Sequence, residues 1–257
     1  MKKKPINLDD KIEISATIVV YKEDFETLLK TINCFLNTPL IKKLYLVDNS
    51  PTNALKEIVN QPEIEYIFTG QNIGFGSAHN LIISKLTSKF HLILNPDVIF
   101  KPQVLPSLIN ELNRHKNVSM ISPKVVSPNG KLQYTSRENP SLIELFFRRI
   151  GIFKTYTRKK EYRDRDLSKT FSPDFIHGCF MLFKTTDFKH INGFDKRYFL
   201  YMEDVDICRR IKNIEREILY YPKQEIVHNH RRGSSKNPQL LFYHLASSIK
   251  YFKKWRN

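Results

Sequence analysis

Ile14-Ser15-Ala16-Thr17-Ile18-Val19-Val20 is an uncharged, β-branched, mostly apolar run. A strand with one wet face alternates polar and apolar residues. An unbroken run belongs to a strand covered on both faces, as in a parallel sheet flanked by helices. The next hundred residues repeat the theme. Phe25, Leu28, Leu29, Ile32, Phe35 and Leu36 form one helical stripe. Leu44-Tyr45-Leu46-Val47 is a second strand, stopped by the turn and cap formers Asp48-Asn49-Ser50-Pro51. Residues 64–68 make a third strand, 70–76 a loop, and 77–86 a short helix. Residues 90–94 make a fourth strand, ending at Asn95-Pro96-Asp97. A helix follows with Val104, Leu105, Leu108, Ile109 and Leu112 on its face, then a fifth strand over 118–122. Strand–helix alternation of this kind predicts an α/β fold: a Rossmann-like, mostly parallel sheet with helices on both sides.

The second half reads differently. Pro128-Asn129-Gly130 is a hairpin turn. A strand is predicted over 174–184 around Gly178, a helix over 203–212, an apolar strand at Glu225-Ile226-Val227 and a last helix over 240–255. With 257 residues, the chain holds one domain. It divides into a nucleotide-binding half (12–125), a half that completes the site (126–235) and a C-terminal amphipathic helix (236–257).

Cys34, Cys179 and Cys208 are scattered and odd in number, which supports neither a disulfide frame nor a zinc knuckle and suits a reducing cytosol. The basic start, Met1-Lys2-Lys3-Lys4-Pro5, has no apolar region behind it, so no signal peptide is expected, and no apolar run is long enough to span a membrane. The net charge of +16 calls for an anionic partner without choosing among nucleic acid, lipid and phosphorylated substrates.

Ligands of open α/β sheets bind beyond the carboxyl ends of the strands. Three polar clusters stand at such ends: Tyr21-Lys22-Glu23-Asp24, Asp48-Asn49-Ser50 and Asn95-Pro96-Asp97. Each alone is ordinary turn chemistry; three at one edge make a site. A diphosphate needs its charge neutralised, and Mg²⁺ or Mn²⁺ does so using one or two carboxylates, of which Asp97 is a candidate. Glu203, Asp204 and Asp206 put three acids in four residues, which suits a cation or a base, or simply a helix N-terminus. His228-Asn229-His230 with Arg231-Arg232 suits a metal or a diphosphate. The Asn72-Ile73-Gly74-Phe75-Gly76 loop opens a helix where amides can meet phosphate, but it follows the third strand and not the first, against a dinucleotide fingerprint.

In this order the clusters resemble the inverting family 2 glycosyltransferases of GT-A fold, in particular their rhamnosyltransferase-like branch. The resemblance rests on Ile18-Val19-Val20-Tyr21, Leu46-Val47-Asp48-Asn49-Ser50, Asn72 to Gly76, His79-Asn80, Leu94-Asn95-Pro96-Asp97, Gly193-Phe194-Asp195, Phe199 to Asp206 and His228. It implies that Val19, Tyr21, Glu23 and Asp48 line a base and ribose pocket, with Asn72, Gly74, Asn95 and Gly178 along the nucleotide-sugar. It implies Asp97 and His228 as holders of a divalent cation (Mn²⁺ or Mg²⁺), Asp204 as catalytic base, and Glu203 and Asp206 as supporting acids. Asn95 stands where the family's D-x-D motif has its first acid, which leaves fewer carboxylates for the metal.

The implied reaction moves a sugar, with inversion, from a nucleotide-diphosphate donor (dTDP-rhamnose first, UDP-sugars next) to a saccharide or lipid-linked acceptor in bacterial surface polysaccharide synthesis. Residues 142–165 carry eight Lys/Arg against three acids, and 240–257 carry four Lys/Arg and no acid. Leu241, Leu245, Ile249 and Phe252 lie on one stripe, with Tyr243, Tyr251 and Trp255 as candidate interfacial aromatics. A cytoplasmic protein that docks peripherally on an anionic inner leaflet is one expectation; packing of these stripes on the core or on a partner subunit is the other. A nucleic-acid binder lacks a recognisable motif and leaves the acids at 203–206 unexplained, so no nucleic-acid partner is expected. A sugar-phosphate nucleotidyltransferase would carry a Gly-rich basic loop after the first strand, where this chain has Tyr21-Lys22-Glu23-Asp24.

Overall fold

The computed structural model describes residues 13–57, 59, 61–141, 158–229 and 237–256. Its strands are β1 (Ile14–Val20), β2 (Lys42–Asp48), β3 (Ile64–Phe68), β4 (Phe90–Leu94), β5 (Val98–Ile99), β6 (Val118–Val126), β7 (Ser136–Arg137), β8 (Phe175–Ile176), β9 (Phe180–Lys184) and β10 (Glu217–His228). Its helices, numbered here in chain order, are α1 (Phe25–Leu36), α2 (Phe75–Asn80), α3 (Val104–Arg114), α4 (Thr185–His190), α5 (Glu203–Asn213) and α6 (Pro238–Lys254).

Eight strands form one sheet in the order β3-β2-β1-β4-β9-β6-β10-β5, and β7 pairs with β8 apart from it. Strands β1 to β4 are mutually parallel where they pair. β9 runs antiparallel between β4 and β6, and β10 is parallel to β6. So β1, β2, β4, β6 and β10 all point one way. Their carboxyl ends and the amino end of β9 share one edge. That direction rule brings Asp97, Gly178 and His228 together from three distant parts of the chain.

Each strand serves two cores, because successive side chains alternate faces. On β1, Ile14, Ala16, Ile18 and Val20 join Leu28, Ile32, Leu105 and Leu108 on the α1/α3 side. Ile93, Met181 and Phe183 join Phe188, Val205, Ile207 and Ile211 on the α4/α5 side.

The mostly parallel sheet agrees with the sequence expectation; four details differ. The helix expected over 77–86 is α2 over 75–80 followed by a 3-10 turn at Ile83–Lys85. The reason is Asn80, whose Nδ2 donates to Phe194 O (2.7 Å) and whose Oδ1 accepts from Phe194 N (2.9 Å). The strand expected over 174–184 is broken into β8 and β9, because the Gly178 amide turns to a carboxylate of α5. The last strand starts at Glu217, and its register shifts between Tyr221 and Glu225, around Pro222, which cannot donate to a ladder. α4 was not anticipated. The hairpin turn at Gly130 is present, with φ +77° and the Ser127 amide donating to Lys131 O at 2.8 Å.

Candidate active site

The donor-side clusters are knitted together at the ends of β1 and β2. Lys22 N donates to Ser50 Oγ (2.9 Å), and Lys22 adopts φ +51° to do so. Asn49 Nδ2 reaches Asn72 Oδ1 (3.4 Å) and Gly74 O (3.3 Å), while Thr69 Oγ1 donates to Asn49 Oδ1 (3.1 Å). Asp48 is fully buried: it accepts from Tyr66 OH (2.7 Å) and Ser50 N (2.9 Å). It thus ties the end of β2 to β3. Tyr21, 46% exposed, is the open aromatic face. Glu23 and Val19 are half-buried beside it, and Asn72 is exposed.

The Asn72–Gly76 loop is bolted to the segment before α5. Phe75 N donates to Phe199 O (2.9 Å), and Gly74, at φ +88°, passes so close that any side chain would strike the Phe199 carbonyl. Only glycine fits there at low cost.

At the end of β4, Thr31 Oγ1 donates to Pro96 O (2.7 Å) and Asn95 N to Cys179 O (2.9 Å), which fixes Asn95-Pro96-Asp97. Asp97 Oδ1 lies 3.3 Å from His228 Nε2 at the end of β10. Gln133 grips His228 twice, through Nε2 to the His228 carbonyl (2.6 Å) and through Oε1 to Nδ1 (3.2 Å). Because Nδ1 faces an acceptor it carries hydrogen, and Nε2 is the nitrogen turned towards Asp97. Burial pulls the imidazole pKa down, but Cys179 and Asp97 beside it outweigh burial and push it up to about 10. Among the described residues no three His, Cys, Asp or Glu side chains gather as a ready-made cage. Asp97 and His228 thus meet as a paired carboxylate and imidazolium, and a cation taken between them would displace the Nε2 proton. His230, Arg231 and Arg232 lie outside the described residues.

The three acids of α5 part company. Asp204, in the first turn, accepts from Gly178 N (3.2 Å) and from Val205 N (2.9 Å) and remains partly exposed. Burial pushes its carboxyl pKa above the usual range. Glu203 is buried, and its Oε2 has no hydrogen-bond partner. Burial, then the charge of Asp204, pushes Glu203 well above the usual carboxylate range. Asp206 is 0% exposed and turned elsewhere, bound by Arg210, Lys254 and Trp255. Two residues apart on a helix means about 200° around its axis, so Asp204 and Asp206 cannot share a face. Just before α5, Tyr201 and Met202 both sit in the left-handed region, at φ +70° and +69°. Two consecutive non-glycine residues there store strain that only tight surroundings can hold.

One edge of the sheet thus carries the exposed Tyr21 ring after β1, the Asp97–His228 pair after β4 and β10, and the Asp204 carboxylate of raised pKa hung from Gly178. Gln133, Arg137 and Cys179 were not anticipated. Arg137 lowers the Asp204 pKa through space and is itself held by Glu161 (2.6 Å). No local pattern marks Gln133 or Arg137; their one signal was the turn at Gly130, which sends the chain back along β6. Cys179 follows Gly178 in the sequence, where three scattered cysteines carry no pattern that marks one of them for a site.

Known proteins resemble this chain in sequence and in fold. The family model for glycosyl transferase family 2 matches residues 15–191, and one for the N-terminal domain of galactosyltransferase matches 167–232. The chain is 29% identical over 227 residues to rhamnosyltransferase WbbL of Escherichia coli (strain K12), covering 83% of both chains. It is 27% identical to the N-acetylglucosaminyl-diphospho-decaprenol L-rhamnosyltransferase of Mycobacterium tuberculosis (strain ATCC 25618 / H37Rv), covering 80% of this chain and 71% of that one. Among solved structures, GalNAc-T7 with UDP, GalNAc and Mn²⁺ superposes with TM-score 0.67 at 13% identity, covering 95% of this chain and 50% of that one. The mannosyltransferase PcManGT from Pyrobaculum calidifontis, in complex with GDP-Man and Mn²⁺, gives 0.65 at 15% identity, covering 96% and 68%. The shared architecture is the GT-A fold; the chain spans half the length of the first of these structures.

Proposed function

The chain belongs to glycosyl transferase family 2, and we propose that it transfers rhamnose, with inversion, from dTDP-rhamnose to a lipid-linked saccharide during bacterial surface polysaccharide synthesis. The observation that carries the reaction is the placing of Asp204: a carboxylate of raised pKa, hung from the Gly178 amide at the same edge as Asp97 and His228. Rhamnose and a pyrophosphate-linked acceptor are supported by what the two relatives are named for.

A sugar hydroxyl is a weak nucleophile. Asp204 accepts its proton as the oxygen bonds to the anomeric carbon; the bond from that carbon to the diphosphate breaks on the opposite face, so the configuration inverts. A raised pKa suits a base that works near neutral pH. The Gly178 and Val205 amides keep the carboxylate aimed. Tyr21 and the Asn49–Asn72 pair shape the nucleotide pocket. Asp97 and His228 would hold a divalent cation, which when bound supplies charge neutralisation for the leaving diphosphate. The Gln133 grip keeps His228 Nε2 aimed for that role.

The acceptor reading carries a membrane proposal. Among the described residues no helix is long and apolar enough to cross a membrane. On α6, Phe242, Leu245 and Ile249 are 66%, 48% and 69% exposed, with the exposed Lys253 one turn beyond Ile249. This face docks on an anionic inner leaflet. Tyr243, Tyr251 and Trp255, expected as interfacial aromatics, instead pack inward, Tyr251 being fully buried. Most of the basic 142–165 segment lies outside the described residues.

The test is transfer itself: purified chain, Mn²⁺, dTDP-rhamnose and an N-acetylglucosaminyl-diphospho-lipid analogue, with product linkage read by NMR. Inverted rhamnosyl product confirms the reading. Turnover with UDP-sugars in its place corrects the donor, and no turnover with either sinks it.

A further inference from the structure

The polar face of α6 holds the segment that carries the candidate base. Ser247 Oγ donates to Leu200 O (2.8 Å), and Lys250 Nζ donates to Arg197 O (2.8 Å). The Tyr243 ring meets Phe199 at 4.5 Å and the His244 ring meets Tyr201 at 5.2 Å. At the end of the helix, Lys254 Nζ bridges Asp195 Oδ2 (2.7 Å) and Asp206 Oδ1 (2.6 Å), and Trp255 Nε1 donates to the same Asp206 oxygen (2.9 Å). Arg210 binds the other oxygen at 2.8 Å, and Tyr198 OH lies 3.3 Å from the first.

These contacts converge on a strained stretch. Tyr201 and Met202 are left-handed, and Asp204 starts two residues later. Such a backbone relaxes unless its surroundings over-determine it. The bracing comes from two sides: the Gly74-Phe75 loop against Phe199, and α6 against residues 195–206. We infer that Asp206 is a positioning residue, and that the clasp Lys254–Asp206–Trp255 sets the first turn of α5 so that Asp204 meets the acceptor hydroxyl. Asp206 acts through the helix and touches no reactant. It is buried and fully engaged by Lys254 and Trp255 at the end of α6, by Tyr198 and by Arg210 one turn along α5, whereas a supporting acid would have to face the Asp204 side of α5. The inference rests on Asp204 being the base.

The clasp contains the chain's only tryptophan, so it reports on itself. The experiment measures kcat and donor KM for rhamnosyl transfer, the Kd of dTDP with Mn²⁺, and Trp255 emission, in Lys254→Met and Lys254→Arg. Displacing a catalytic group by about 1 Å costs on the order of 100-fold. Lys254→Met should therefore lower kcat by about 10- to 100-fold, shift the emission, and leave donor KM and dTDP affinity within about twofold. Lys254→Arg, which keeps the charge and a donor, should recover most of kcat. Unchanged kcat in Lys254→Met overturns the inference, and so does a loss shared equally with dTDP binding or one that Lys254→Arg fails to restore. If Lys254→Met does not fold, Trp255→Phe, which removes the indole N–H from the same oxygen together with the five-membered ring, is read for kcat, KM and Kd by the same criteria. Asp204→Asn separates the two levels: full activity there defeats the assignment of the base, whatever Lys254 does.

Discussion

The donor half and the α5–α6 region build their parts of the site by opposite means. In the donor half, position follows from topology. β1, β2 and β4 are parallel and buried, so whatever follows each strand arrives at the same edge. Asp48 and Asp97 are placed by strand direction before any side chain is considered. In the α5–α6 region, position follows from side-chain bracing. Asp204 and Asp206 lie two residues apart, yet one faces the site and the other a lysine and a tryptophan of a helix some fifty residues on. Topology tolerates the loss of a single contact; a braced, strained turn does not. The donor half should thus lose function one ligand at a time, and the second region should lose geometry.

The largest loss is expected at Asp204. Asp204→Asn removes the proton acceptor with little change of shape, so turnover should fall by about 10²- to 10⁴-fold. The same change should raise the melting temperature at pH 8. A carboxyl whose folded pKa is raised holds its proton longer than the unfolded chain does, so stability falls as pH rises through the folded value. The gain in melting temperature on Asp204→Asn should therefore grow with pH. A drop at pH 8 would contradict the raised pKa. For turnover, the acidic limb of kcat/KM should lie above the ordinary aspartate range of about 3.9.

Asp97→Ala should act through the cation. Loss of one of two donors should lower turnover by about 10²- to 10³-fold and raise the Mn²⁺ concentration needed for half activity, while binding of the free nucleoside is kept. Equal loss of nucleoside binding would mean that Asp97 holds up the pocket and not the metal. Gly74→Ala tests the loop that ties the two regions together. With φ at +88° and the Phe199 carbonyl in the way, it should cost about 1–3 kcal/mol in urea unfolding; a cost near zero would show that the loop and the segment before α5 are not locked.

Smaller still is the effect of His91. It is buried between Ser15 (2.8 Å) and Thr17 (3.2 Å), and burial pulls its pKa down to about 3. Its folded value lies below the unfolded one, so its contribution is present near neutral pH and is lost as pH falls from 6.5 towards about 3. His91→Gln should flatten that loss. An unchanged slope would assign the acid sensitivity elsewhere, His79 being the other buried imidazole pushed down.

Against that background, the legible part of the molecule is the topological part. The apolar run at 14–20, the turn cluster at 48–51 and the Asn95-Pro96-Asp97 stop were each readable because burial on two faces and chain reversal have local signatures. By residue pattern alone Asp204 is one acid among three; the family resemblance is what singles it out as the base. Nothing in Glu203-Asp204-Val205-Asp206 says that Asp206 faces Lys254, because that depends on where α6 packs. Gln133 was invisible for the same reason: its grip on His228 spans 95 residues. The helix expected over 77–86 stopped early because Asn80 is used to clamp Phe194, a tertiary demand overriding local periodicity. The aromatics of α6 were read as interfacial from their spacing, and packing turned them inward.

On the proposed function, this edge binds a nucleoside diphosphate through a cation held by Asp97 and His228. The most direct measurement is thermal stabilisation by dTDP, UDP and GDP, each with and without Mn²⁺, in the wild type and in Asp97→Ala. A ligand that binds only the folded chain at a hundred times its Kd stabilises by about 2.7 kcal/mol, which is a rise of several degrees. Such a rise is expected for dTDP with Mn²⁺, a smaller one without the metal, and none of the metal-dependent part in Asp97→Ala. No shift with any of the three nucleotides, or a shift indifferent to both Mn²⁺ and Asp97, would contradict the proposed function.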